Sequence, residues 1–352
     1  MRARCTGYYS QRGRTMFIQF AGFPRAFVAA WLLVGCGDDF SASDAGASVR
    51  AEERLDAAAV DSGAPDAQGG SSADAGRPTM MGGAAADVAD ARSLGDNEQA
   101  LTLRFRAQLG EQRLACGTTY QQPGGARQSI TLRDLRLFVQ DVALVDAAGR
   151  EVPVQLDNRE PWQTRDVALL DFEDATGECF ASVETNREIS GVVPKGDYRA
   201  LRFSHGVPEK LNHSDPQTFP APLRTPGMSW NWLLGLRFVR FEVGAEPEPD
   251  ADAGGGTGSY SLHVGSTGCK GSQNEGTIKC AKPNRSRVEL TDFELNKSEI
   301  VLDVSPLLSG SDLSQSVECH SGTADCEPLF EALGVSYATG EPSSAQTVFR
   351  LN

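Results

Sequence analysis

"LTLRFRAQ", residues 101–108, sets Leu101, Leu103 and Phe105 at alternate positions, with Thr102, Arg104 and Arg106 between them. Side chains of an extended chain alternate between two faces, so this spacing predicts a strand with one apolar and one polar side. The same kind of run recurs at "DLRLFVQDVALVD" (134–146), "DVALLDF" (166–172), "YRALRFSHGV" (198–207), "LRFVRFEV" (236–243), "YSLHV" (260–264), "RVELTDFEL" (287–295), "EIVLDVS" (299–305) and "TVFRL" (347–351). Turn signals such as "DAAGR", "PKGD" and "PGM" separate them. Helical spacing is confined to "DCEPLFEALGV" (325–335). Many short strands with Gly- and Pro-rich connections predict an all-β domain over 98–352, an antiparallel β-sandwich with long loops. "GAEPEPDADAGGGTGS" (244–259) interrupts the pattern and reads as a solvated loop insertion. Its acidic residues lack the ligand spacing of an EF-hand calcium loop.

Upstream of residue 98 the composition changes. Arg2, Arg4, Arg12 and Arg14 precede the apolar run "AFVAAWLLVG" (26–35) and Cys36, with Met16 available as an alternative start. The run is too short to span a bilayer and matches the apolar region of a secretory signal. "LVGC" (33–36) resembles a bacterial lipobox, which makes residues 1–36 a lipoprotein signal and Cys36 the lipidated residue. Gly37 after it, in place of Asp, points to the outer membrane, on its periplasmic or cell-surface side. Residues 37–97 are rich in Asp, Ala, Gly and Ser, and no aromatic residue occurs between Phe40 and Phe105. Such a segment has little apolar surface with which to offset its ordering entropy, so it is expected to be a disordered linker. The formal net charge of −14 argues against nucleic acid as a partner.

Eight cysteines are present. With Cys5 removed and Cys36 acylated, Cys116, Cys179, Cys269, Cys280, Cys319 and Cys326 remain, and export makes disulfides their expected state. Six cysteines allow fifteen pairings. The short loops favour Cys269 with Cys280 and Cys319 with Cys326, which leaves Cys116 for Cys179. No C-x-x-C pair supports a zinc site.

Histidine occurs four times, as His205, His213, His263 and His320. The alternation in "YSLHV" turns His263 away from the apolar face, and His213 sits in a proline-bounded loop with Asp215 close by. Two of the four tryptophans, Trp230 and Trp232, stand one residue apart at the head of an expected strand. In an extended chain they share a face, with Asn231 opposite. An indole has an N–H donor but no lone pair for a metal. Its oxidative opening to kynurenine supplies an arylamine nitrogen that can ligate.

"VALLDFEDATGEC", "LRFSHGVPEKLNHSDP", "PLRTPGMSWNW", "LHVGSTGC", Cys280, "PNRSRVELTDF" and "PWQ" (161–163) together resemble the MbnP-type copper-binding proteins. These are also described as the four-Cys members of a metallo-mystery pair, and Cys116, Cys179, Cys269 and Cys280 correspond to the four cysteines. The resemblance implies an exported all-β protein that binds copper through histidines and a kynurenine made from a tryptophan of the W-x-W. A partner di-haem cytochrome c peroxidase of the MauG type performs that oxidation, so the chain itself is not an enzyme. Carried over by position, the metal candidates are His213, His263, Trp230 and Trp232, with Trp230 or Trp232 modified to kynurenine. Met228 and Asp215 are candidates for a soft thioether ligand and an imidazole acceptor, although Met228 fits a core position better. His205 and His320 are not carried over. The alternative is a surface β-sandwich lipoprotein that binds carbohydrate or protein through an exposed Trp pair. A hydrolase finds least support, because "VGSTG" (264–268) is not G-x-S-x-G.

Overall fold

The alternation of residues 101–108 falls inside the first strand, β1 (Glu98–Leu109), of a computed structural model. The structure describes residues 94–123, 128–215, 217–231, 233–247, 257–272, 276–320, 326–344 and 346–352. Expectations for the signal segment, Cys36, residues 37–93 and Trp232 lie outside these residues. The further strands are β2 (Gln112–Arg113), β3 (Thr119–Gln121), β4 (Gln128–Asp146), β5 (Glu151–Pro153), β6 (Gln155–Leu156), β7 (Val167–Asp171), β8 (Glu188–Pro194), β9 (Tyr198–His205), β10 (Val239–Pro247), β11 (Gly258–Val264), β12 (Val288–Thr291), β13 (Glu299–Asp303), β14 (Val317–His320) and β15 (Phe349–Leu351). Among the described residues three short helices accompany them: α1 (Glu209–Asn212), α2 (Ser305–Leu308) and α3 (Glu327–Ala332). The last falls within the one stretch of helical spacing.

The strands form two sheets, one ordered β15-β13-β1-β8-β6 and one ordered β12-β9-β4-β10-β11-β14. Leu101, Leu103 and Phe105 of β1 and Leu135, Leu137 and Val139 of β4 belong to a common core. This is the expected all-β sandwich. Most pairings are antiparallel, but β1 pairs with β13, and β11 with β14, in parallel. Long connections separate the members of both pairs, as parallel neighbours require. Three disulfides, Cys116–Cys179, Cys269–Cys280 and Cys319–Cys326, staple the loops. The first bridges a sequence separation of 63, for which loop-closure entropy alone gives about 4 kcal/mol.

The insertion expected over 244–259 is shorter in the structure. Gly244 to Pro247 continue β10 and Gly258 and Ser259 open β11, paired Gly244↔Ser259 and Ala245↔Gly258. Backbone pairing tolerates this composition because β4 holds the other side of β10 in register through Pro247↔Gln128.

β4 positions the site. Gln128–Leu137 pair with β10 and Val139–Asp146 pair with β9, and Phe138 stands at the junction. Gly206 N–H donates to the Phe138 carbonyl, and Phe138 N–H donates to the Phe238 carbonyl. The long connection 206–238 therefore leaves and re-enters the sheet at one point. It folds over the outer face and buries Val207, Phe219, Leu223, Met228, Leu236 and Phe238 against Phe138, Val167 and Leu169. This second small core explains why "VALLD" of β7 is buried throughout rather than alternating.

Candidate metal centre

Within the connection 206–238, Ser229 and Leu236 are bridged and Trp230 N–H donates to Gly235 carbonyl at 3.1 Å, forming a small hairpin. Asn231 shapes its turn: Oδ1 accepts the N–H groups of Leu233 and Leu234 at 3.0 and 2.9 Å. Trp230 and Asn231 thus lead into a turn, and the strand starts only at Val239, because the Asn231 side chain competes well for local N–H groups.

Trp230 is half-buried, with the Arg237 guanidinium 4.9 Å from its ring centroid. The indole fills the space beside Gly265, where a Cβ would collide with it and stand 2.6 Å from the Leu236 carbonyl. Glycine in "LHVGSTGC" is thus a packing requirement of the tryptophan. The other side of the hairpin is held by Asn212, which is fully buried. Its Oδ1 accepts the Leu236 N–H at 2.9 Å, and its Nδ2 lies 3.0 Å from His213 Nε2. Gly235, at φ +81°, is obligatory there, since a Cβ would stand 2.6 Å from Asn212 Oδ1.

This pair of contacts fixes a tautomer. The amide oxygen is engaged by Leu236, so the group facing His213 is the NH₂ donor and Nε2 must present its lone pair. His213 Nε2 also lies 3.1 Å from Cys280 Sγ, and His213, Cys269 and Cys280 have ligand-type atoms within 4.8 Å of one another. The two sulfurs are joined as a disulfide and offer no thiolate, so this group supplies one nitrogen donor in its oxidised form. An open cleft of about 700 Å³, lined by Glu209, His213, Asp215 and Lys279 among others, reaches this ring. Asp215 accepts the Gln217 N–H at 2.9 Å, capping its own turn.

His263 lies on the outer face of β11 as its alternation predicts, opposite Arg240 of β10. Nε2 is 2.6 Å from Glu242 Oε1, while the buried Nδ1 has no hydrogen-bond partner among the described residues. Burial would raise the Glu242 carboxyl, but hydrogen bonds from His263 and Arg240 and the Arg240 charge bring it down to about 2. Arg240 also pairs with Asp134, which with Arg136 forms a nearly inaccessible ion pair beneath the 226–227 loop. Held through Nε2 by a carboxylate, a neutral His263 carries its lone pair on Nδ1, the arrangement by which outer-shell carboxylates orient metal-binding imidazoles.

The structure therefore places His213 and Trp230 against one hairpin, and His263 two residues from the glycine under Trp230. The close group at His213 does not include His263. Met228 is fully buried in the small apolar core and His205 is buried with Nε2 3.2 Å from the Leu333 carbonyl. Burial, only partly offset by that hydrogen bond, lowers His205 to about 4. Sequence reading did not single out Asn212, although "LNH" places it beside the histidine, nor Arg237.

The MbnP family model matches residues 98–321. A solved structure, MbnP from Methylosinus trichosporium, is 32% identical, with a TM-score of 0.61, and the match covers 72% of this chain and 98% of that one. The chain belongs to the MbnP family. No curated protein matches it. Several of the motifs shared with MbnP-type proteins have structural work in this chain. In "PWQ", Gln163 is fully buried and ties its loop to β8, donating to the Asp157 and Ser190 carbonyls and accepting the Ser190 N–H. Glu173 of "VALLDFEDATGEC" accepts the N–H groups of Ala181 and Ser182. Cys326, and with it the Cys319–Cys326 bridge, extends past the matched MbnP region.

Proposed function

We propose that this MbnP-family protein is an exported, lipid-anchored copper-binding protein of the outer membrane, not itself an enzyme. Its metal is held by His213, His263 and a kynurenine made from Trp230 or Trp232. A partner di-haem peroxidase of the MauG type supplies the oxidising equivalents. The observation that carries this reading is the convergence on one hairpin. Asn212 binds its returning strand and hydrogen-bonds His213 Nε2, while Trp230 packs on the segment that carries His263.

The donor set fits the ion. His263 Nδ1 carries a lone pair oriented through Glu242, and the Nε2 lone pair of His213, which accepts from the Asn212 amide, would ligate by exchanging that hydrogen bond for the ion; imidazole suits copper in both oxidation states. An unmodified indole adds no ligand. The carbohydrate platform is less well supported, because the Arg237 guanidinium already lies over the Trp230 ring.

Copper stoichiometry of protein from the native host tests the reading. The His213→Ala and His263→Ala variants are expected to fold and lose copper; retention of full stoichiometry in both would refute the site.

A further inference from the structure

His320 lies beside His263, and sequence reading gave it no role. β14 runs parallel to β11 with Leu262↔Cys319 and His263↔His320 in register. Cys319 is buried in the core, so alternation turns the next side chain outward, onto the face that carries His263. The two imidazole centroids are 4.9 Å apart, with the rings inclined at 46°. The Cys319–Cys326 disulfide anchors the strand that carries the second ring.

A carboxylate stands near each ring. Glu242 Oε1 stands 2.6 Å from His263 Nε2, and Glu318 Oε2 stands 3.8 Å from His320 Nε2. For His263 that is the outer-shell arrangement of metal-bound histidine, in which a hydrogen-bonded carboxylate fixes the tautomer and raises ligand basicity; Glu318 stands beyond hydrogen-bond distance of His320 and adds only a nearby negative charge. His263 Nδ1 is buried with no hydrogen-bond partner among the described residues, an uncommon condition for a ring nitrogen unless its lone pair binds a donor or a metal ion. His320 is 48% exposed in its side chain, which opens the pair to an ion from solvent. Two nearby cations oppose binding: Arg237, held by the Gly227 and Ser229 carbonyls, and Arg240, opposite His263 and paired with Glu242 and Asp134.

We propose that His263 and His320 form a bis-imidazole site for a divalent cation such as Cu(II), on protein whose tryptophans are intact. The proposal rests on the reading above only in sharing His263. Two nitrogen donors held by neighbouring strands are suited to Cu(II), which leads the divalent first-row ions in affinity for nitrogen sites.

The test uses the full chain made in a host without a di-haem peroxidase, with both tryptophans verified intact by mass, titrated with Cu(II) and followed by electron paramagnetic resonance. One Cu(II) with hyperfine structure from two nitrogens is expected. His320→Gln, at a partly exposed position, should weaken binding at least tenfold and remove one nitrogen. Wild-type affinity and spectrum in His320→Gln would overturn the proposal. Failure here leaves the kynurenine site untouched, since that site is read on modified protein through His213.

Discussion

Replacing Asn212 by Ala removes one side chain that performs two tasks, and the cost of each can be worked out. Asn212 is fully buried, and Oδ1 satisfies the N–H of Leu236, which is itself buried. An unsatisfied buried donor costs about 1–3 kcal/mol, and the lost bond to His213 adds about 1 kcal/mol. Asn212→Ala should therefore destabilise the domain by about 2–4 kcal/mol, lowering Tm by roughly 5–15 °C for a domain of this size. Asn212→Asp separates the two tasks. It keeps an acceptor for Leu236 N–H but turns an oxygen toward His213 Nε2, which must then carry the proton. A smaller loss, about 1 kcal/mol, is expected, together with a switch of the His213 tautomer from Nδ1–H to Nε2–H. Thermal denaturation reads the first quantity and nitrogen-15 NMR of the imidazoles the second. A Tm within 2 °C of wild type in Asn212→Ala, or an unchanged tautomer in Asn212→Asp, would refute the assignment of Asn212 as the link between hairpin and histidine.

Gly265→Val should expel the Trp230 indole from its seat beside Gly265, costing about 1–3 kcal/mol by overpacking; tryptophan emission should shift to the red, and an unshifted spectrum would contradict the packing. Asp171 provides a pH signature, because burial, opposed by the Arg136 charge and reinforced by Glu173, raises its carboxyl to about 7. A carboxyl whose folded pKa exceeds its unfolded value favours the protonated native state, so its contribution falls as pH rises from about 4 to about 7. Asp171→Asn should flatten that part of the stability profile, by up to a few kcal/mol, and an unaltered slope would exclude Asp171 as its origin. Glu242, lowered to about 2 by His263 and Arg240 against the opposing effect of burial, acts in the other direction. Its stabilisation is complete above about pH 4.5 and is lost as pH falls through its folded value, so Glu242→Gln should remove an acid-limb loss seen in wild type.

Much of the sandwich is visible in the alternation of single segments such as 101–108 and 260–264, where one face meets the core and the other meets solvent or charge. Residues 188–194 escape that reading because "EISGVVP" mixes Gly191 into its alternation; Gly191 is required where the Gln155 carbonyl approaches β8. The extra length of the β10–β11 hairpin is equally hidden, since its pairing comes from β4 and not from its own composition. At the site, His213, His263 and the W-x-W could be carried over by resemblance, but their roles depend on partners distant in sequence. Asn212 acts through Leu236, and His263 through Glu242. His320 is illegible for the same reason: only the parallel register of β14 with β11 places it beside His263.

The most direct measurement is peptide mass spectrometry on protein purified from its native host. Trypsin releases "TPGMSWNWLLGLR", Thr225–Arg237, carrying Trp230 and Trp232 together. Formal replacement of one indole carbon by oxygen, distinct from the added oxygen of Met228 sulfoxide, is predicted at one of the two tryptophans. It should be found in molecules that hold copper. Two intact tryptophans in copper-loaded protein would contradict the account.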